Sequence, residues 1–229
     1  MSTYYSPRVP TSGLVLLVDA LNRKSYPGSG SSWLDLSGNN NHFSMQGTVT
    51  WDPSGYFTGW STANYWNSAS SNGFPTGASA RTIVAVHRTG ASMTPQNGAY
   101  QHVFHYGAAA LNQSMGVAYV GSTLVNHTWS GNASTSFSIS TNTHYITMVT
   151  FNGTSTRFIV NGNFTTTSGD TGTSTNTGTN FSRIGIRITT PAEHLNSDGR
   201  IHYVSMYNRV LTNDELIQVH DALRGRFGI

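Results

Sequence analysis

Glycoside hydrolysis ordinarily needs two carboxyls held about 5–10 Å apart. This chain has two glutamates, Glu193 and Glu215. Glu215 closes the segment Thr212-Asn213-Asp214-Glu215. That is a capping box, in which the threonine hydroxyl and the glutamate carboxylate each take an orphan backbone N–H. Glu193 stands in the loop segment Pro191-Ala192-Glu193-His194. The aspartates Asp19, Asp35, Asp52, Asp170, Asp198, Asp214 and Asp221 are dispersed, and no E-x-D-x-x-E run lies on one strand face. No G-x-S-x-G elbow occurs, and no G-x-G-x-x-G or G-K-[ST] phosphate motif. No catalytic residue is assigned, and the chain is expected not to be an enzyme.

Nine histidines are present, at 42, 87, 102, 105, 127, 144, 194, 202 and 220. Metal sites favour side chains that project together. His102 and His105 are three apart, so on a regular strand they face opposite ways. No H-x-H or H-E-x-x-H pattern occurs, and no metal ligand is assigned. The polar run Asp35-Leu36-Ser37-Gly38-Asn39-Asn40-Asn41 has the oxygen chemistry for calcium. Loops of this composition more often form Asx turns, and the turn is the preferred reading. No cofactor is expected.

Aromatics offer a different chemistry. Trp60, Tyr65 and Trp66 lie close together in a Ser/Asn/Gly-rich stretch, and Trp129 sits near Asn126, His127 and Asn132. An exposed ring beside neutral amides can stack on a sugar face, so these four are the glycan-binding candidates. The competing reading places each ring in a core, where large aromatics usually go, and it is preferred for each taken singly. Trp33 and Trp51 are read as core.

The scaffold holding these residues is unusual in composition. Charged residues are 9% of the 229, against about 25% in ordinary domains. Ser (29), Thr (30) and Asn (20) make a neutral, hydroxyl-rich surface. The 37% apolar and 11% aromatic content argues against disorder. The net charge of +3 comes from scattered residues, the tightest cluster being Arg224 and Arg226, so nucleic acid is not an expected partner. No run approaches eighteen apolar residues, so no membrane partner is expected either. Without cysteine there is no disulfide and no thiolate metal site. The opening Met1–Arg8 has no apolar signal core, so export by that route is not expected.

Short β-branched and aromatic runs recur between Gly, Asn and Ser turns: Leu14–Asp19, Thr82–Arg88, His102–Tyr106, Met115–Val120, His144–Phe151, Arg157–Val160, Arg183–Ile188 and Ile201–Tyr207. Each is a strand signature. Asn161-Gly162 marks a hairpin turn, and 165–180 reads as a solvated low-complexity loop. The capping box starts one helix, with a Leu211/Leu216 staple, a Leu216–Val219–Leu223 stripe and Gly225 as its expected C-cap. Residues 1–12 form a polar arm and 13–229 one domain: an all-β antiparallel sandwich of jelly-roll type with one C-terminal α-helix.

Two segments resemble a known family. Gly13–Ala20, Ser25-Tyr26-Pro27-Gly28-Ser29-Gly30 and Trp33–Asn39 are similar to the opening of laminin-G-like (concanavalin A-like) jelly-roll domains. The version they most resemble occurs in tailed-phage virion proteins. Ile201–Leu211, the capped helix and Gly225–Ile229 are similar to its close. The family often carries acidic residues where this chain has His202 and Tyr203, which weakens any charge or metal role there. The resemblance implies a structural virion protein assembled in the host cytoplasm: a capsid decoration or cement protein, or a neck, tail or fibre component. It would be homo-oligomeric, with the major capsid or tail proteins as partners. The alternative is a lectin-like host-recognition module that binds cell-surface glycan.

Overall fold

The computed structural model describes residues 8–95, 98–128, 133–163, 177–178, 181–188 and 193–229. Along the chain these form β1 (Leu14–Asp19), β2 (Ser32–Trp33), β3 (Phe43–Gln46), β4 (Thr50–Asp52), β5 (Tyr56–Thr58), β6 (Tyr65–Ser68), β7 (Arg81–Arg88) and β8 (Gln101–Gly107). There follow β9 (Ser114–Val120), β10 (Thr123–Asn126), β11 (Ala133–Ser138), β12 (His144–Phe151), β13 (Thr156–Val160), β14 (Phe181–Ile184), β15 (Arg200–Tyr207) and α1 (Asn213–Phe227). One sheet runs β13-β12-β7-β15-β5-β4, with β1 also paired to β15; the other runs β11-β10-β9-β8-β14-β6-β3-β2. The strand pairs are antiparallel, as a jelly roll requires.

The long strands of the seven-stranded sheet are buried on both faces. In β7, Ile83 and Ala85 enter the core between the sheets, while Val84 and Val86 pack under the helix. β12 divides the same way, with Val149 and Phe151 inward and Ile146 and Met148 toward α1. This is why these strands read as continuous apolar runs rather than alternating ones. The inter-sheet core centres on aromatics: Trp33 and Trp66 flank Phe57 with ring centroids 4.6 and 5.0 Å away, and Tyr26 approaches Phe57 at 4.9 Å. Trp51 is only half-buried at the core's edge, where its indole N–H donates to Ala20 O at 3.0 Å.

The helix begins at the capping box. Glu215 N–H donates to Thr212 Oγ1 at 3.3 Å, and Thr212 N–H donates to Glu215 Oε2 at 2.9 Å. Arg209 adds a bidentate pair, and it holds the Glu215 carboxyl down to about 2. Leu216, Val219 and Leu223 then meet Tyr203 and Tyr207 of β15. The C-cap is Gly228 at φ 69°, not Gly225; the helix runs one turn further because Phe227 also packs against this cluster. Thr212→Ala is expected to cost about 1 kcal/mol. It should lower the denaturant midpoint at constant m-value; an unchanged midpoint would mean that Arg209–Glu215 alone holds the helix end.

Three sequence expectations change in detail. The strand expected over 183–188 ends at Ile184, because Gly185 takes φ +85° and a Cβ there would overlap the Trp60 ring. Most of 165–180 lies outside the described residues, but Thr177 is buried and accepts from Arg81 Nη1 at 2.5 Å, so that point is pinned. Residues 8–12 of the arm lie against the domain: Val9 packs on the helix-side cluster, and Ser12 O accepts from Arg209 Nε at 2.9 Å.

Candidate functional site

The inner face of the eight-stranded sheet supplies Trp66, Phe104, Met115, Val117 and Ile184 to the core. Alternation therefore sends their neighbours outward. Register places Ser44 opposite Asn67, Gln46 opposite Tyr65, Asn67 opposite Arg183, and Arg183 opposite His105. This row crosses β3, β6, β14 and β8 on the sheet's outer face. Within it the Arg183 guanidinium lies 5.0 Å from the Tyr65 ring centroid. Arg183 Nε donates to Asn67 Oδ1 at 3.1 Å, and Nη1 donates to Arg187 O at 3.1 Å. Tyr65, Asn67 and Arg183 are each half-buried. The result is a positioned aromatic ring bordered by a cation, amides and hydroxyls.

Of the four glycan-binding candidates, the structure leaves Tyr65 in place to meet a ligand. Trp66, one residue on, points the other way and is wholly buried. Trp60 is also buried, with its indole N–H donating to Gly199 O at 2.9 Å. Both are corrected to core residues, since neither ring presents a face to solvent. Trp129 lies outside the described residues. The sequence carried the signal for Tyr65 in an aromatic ring amid Ser, Asn and Gly, but not for Arg183, which comes to Asn67 from 116 residues away through β14–β6 pairing.

Further along the same face, His102 and His105 come together, contrary to the regular-strand expectation. A bulge between His102 and Phe104 resets the parity of β8, so both rings project outward with centroids 4.9 Å apart. Opposite them stand Ala118 and Gly116, and a Cβ at Gly116 would strike His105 and the Phe104 carbonyl. His127, just past β10, completes a trio at 4.9 and 5.2 Å from the other two rings. Its backbone N–H donates to Gly116 O at 3.1 Å. All three are buried, and one nitrogen of each lies within 4.8 Å of the others. Burial holds His102 and His105 well below the ordinary histidine range and brings His127 to about 4. Glu193 borders the trio: its Oε2 is 3.5 Å from His102 Nε2 and 3.0 Å from Arg187 Nη1, and its Oε1 accepts from Ala99 N–H at 2.6 Å.

Two other regions were plausible on chemistry. Asp35 forms the expected Asx turn, accepting from Ser37 N–H and Leu17 N–H at 2.9 Å each and from Asn41 N–H at 3.0 Å. His202 and Tyr203 are buried, and His202 Nδ1 lies 2.9 Å from Gly55 O, which is a scaffold role. A cleft of about 420 Å³ lies beside α1, between Leu17, Asp19, Tyr203 and Arg226, away from the outer-face row. There Asp19 is already paired with Arg226 at 2.9 Å.

Comparison with known proteins agrees with the architecture. The family model described as the concanavalin A-like lectin/glucanases superfamily matches residues 93–217. No curated protein matches the sequence. Among solved structures, Trypanosoma rangeli sialidase in complex with sialic acid matches with a TM-score of 0.66 and 17% identity, over 96% of this chain and 34% of that one. The receptor binding domain of botulinum neurotoxin C/D mosaic serotype matches with a TM-score of 0.70 and 12% identity, over 93% of this chain and 52% of that one. This chain thus spans about a third of the sialidases' length, and the likeness shows the fold alone. It also overturns the expectation that the chain is not an enzyme. The fold occurs within sialidase chains, so the lack of a recognisable carboxylate pair in the sequence does not exclude catalysis.

Proposed function

We propose that this chain, which belongs to the concanavalin A-like lectin/glucanase superfamily, binds glycan on the outer face of its eight-stranded sheet. The Tyr65–Arg183–Asn67 platform carries this reading. A half-buried tyrosine ring offers an apolar face for a pyranose, while its setting fixes its orientation. Asn67, Gln46 and Ser44 surround it with neutral donors and acceptors suited to sugar hydroxyls. The Arg183 guanidinium favours sugars that bear a carboxylate, which it can meet with charge-assisted hydrogen bonds. The sialic acid in the sialidase complex and the receptor-binding role of the neurotoxin domain belong to those proteins; they support testing acidic glycans first.

A glycan array of neutral and acidic oligosaccharides tests the reading. Tyr65→Ala is expected to weaken binding of any hit by tenfold or more, about 1.4 kcal/mol, with little change in melting temperature. Arg183→Ala should lose acidic ligands selectively. Binding that survives both changes would place the site elsewhere.

A second reading concerns context. The opening and closing segments resemble the tailed-phage version of this domain, which supports display on a virion beside major capsid or tail proteins. Mass spectrometry of purified particles decides it. Near-stoichiometric copies against the capsid protein would indicate decoration, and a few tens a tail, neck or fibre part. Absence from particles would remove the virion reading and leave glycan binding standing.

A further inference from the structure

We infer that His102, His105 and His127 form a structural binding site for a divalent transition metal ion of the zinc class, with the Glu193 carboxylate at its border. The first support is convergence. Three imidazoles from β8 and the segment after β10 offer one nitrogen each within 4.8 Å of one another. A tetrahedral zinc ion with Zn–N distances of about 2.0–2.1 Å holds its nitrogens roughly 3.3 Å apart, so the separations need shorten by up to about 1.5 Å. Imidazole is the ligand that suits zinc, copper and nickel. The second support is unmet bonding. His102 is buried, and neither of its ring nitrogens makes a hydrogen bond among the described residues; its Nε2 has only the 3.5 Å approach of Glu193. Buried polar atoms of this kind ordinarily have partners. His105 Nε2 likewise makes no hydrogen bond there. Ligation through Nε2 moves the ring proton to Nδ1 and gives up the bond from Ile188 N–H, which at 3.4 Å is already long.

The surroundings are built for rigidity. The β8 bulge aims both of its histidines outward, and Gly116 makes the room that any side chain would take. Glu193 is oriented by Ala99 N–H, and its carboxylate would offset the ion's charge. Arg187 opposes this, being a cation 3.0 Å from the same oxygen, so the trio supplies most of the affinity. An ion here would tie β8 to the segment after β10, across the face that carries Tyr65. The inference is independent of glycan binding, because its readout is metal occupancy.

The test uses the full chain, stripped with a chelator and titrated with Co²⁺ and Zn²⁺. The expected result is one ion per chain, a tetrahedral Co²⁺ absorption spectrum, and a rise in melting temperature with Zn²⁺. In histidine-selective NMR of the unmodified protein, three ring spin systems should shift together on Zn²⁺ addition. His102→Gln and His127→Gln should abolish stoichiometric binding, while His42→Ala, on an exposed histidine, should leave it intact. No stoichiometric binding by the folded protein would overturn the site. Zn²⁺ shifting only other histidines would overturn it too, and the NMR arm holds even where a variant fails to fold.

Discussion

Acidification below pH 6.5 is expected to unfold the metal-free protein within one to two pH units. Five buried histidines are held neutral by burial: His87 and His202 at about 3, His127 at about 4, and His102 and His105 well below the ordinary value. Neighbouring cations reinforce the effect, Arg187 beside the trio and Arg200 and Arg226 beside His202. The unfolded chain protonates these rings near pH 6.5, while the native state does not until pH falls much further. Below 6.5 the unfolded state therefore binds more protons, and stability falls as pH falls. Each such ring contributes on the order of 1.4 kcal/mol per pH unit. Five together reach about 10 kcal/mol by roughly pH 5, comparable to an ordinary stability of about 5–15 kcal/mol. Melting temperature measured from pH 8 to 4 should be flat above 7 and drop steeply below 6.5. A flat profile down to pH 5 would mean these rings are protonated in the folded protein.

Trp66→Ala is expected to destabilise the fold by about 3–5 kcal/mol. The ring is fully enclosed, meeting Trp33 at 5.7 Å, Phe57 at 5.0 Å and Tyr26 at 6.0 Å, so truncation opens a cavity at the centre of the inter-sheet core. For a domain of this length that is a fall of roughly 10 °C or more in melting temperature. Tyr65→Ala, one residue earlier and facing outward, should melt within a few degrees of the unmodified protein. The contrast separates core from surface on a single short strand. A mild Trp66→Ala variant would show that this alternation has been read with the wrong parity.

The long strands and the helix were legible in the sequence because their signals are local. β1 and β12 have the expected limits, and the capping box is where Thr212 and Glu215 put it. The short strands β2 to β6 were not, since two to four polar-rich residues hold no period, and pairing across the sheet defines them. The site was legible only in part. Tyr65 stood among the candidates, but Trp60 and Trp66 looked equally suitable until Gly185 and the aromatic cluster enclosed them. The histidine trio was invisible, because one extra residue in β8 reverses the parity that separates His102 from His105, and His127 joins from another strand pair. Bulges and long-range register leave little local trace.

Titration of the isotope-labelled protein with the best acidic glycan hit, followed by NMR shift mapping, tests the central claim most directly. Perturbations are predicted to cluster on Gln46, Tyr65, Asn67 and Arg183, with the α1 cleft around Leu17 and Tyr203 silent. Saturable shifts confined to that cleft, or none with any glycan, would contradict the assignment of the outer face as the binding surface.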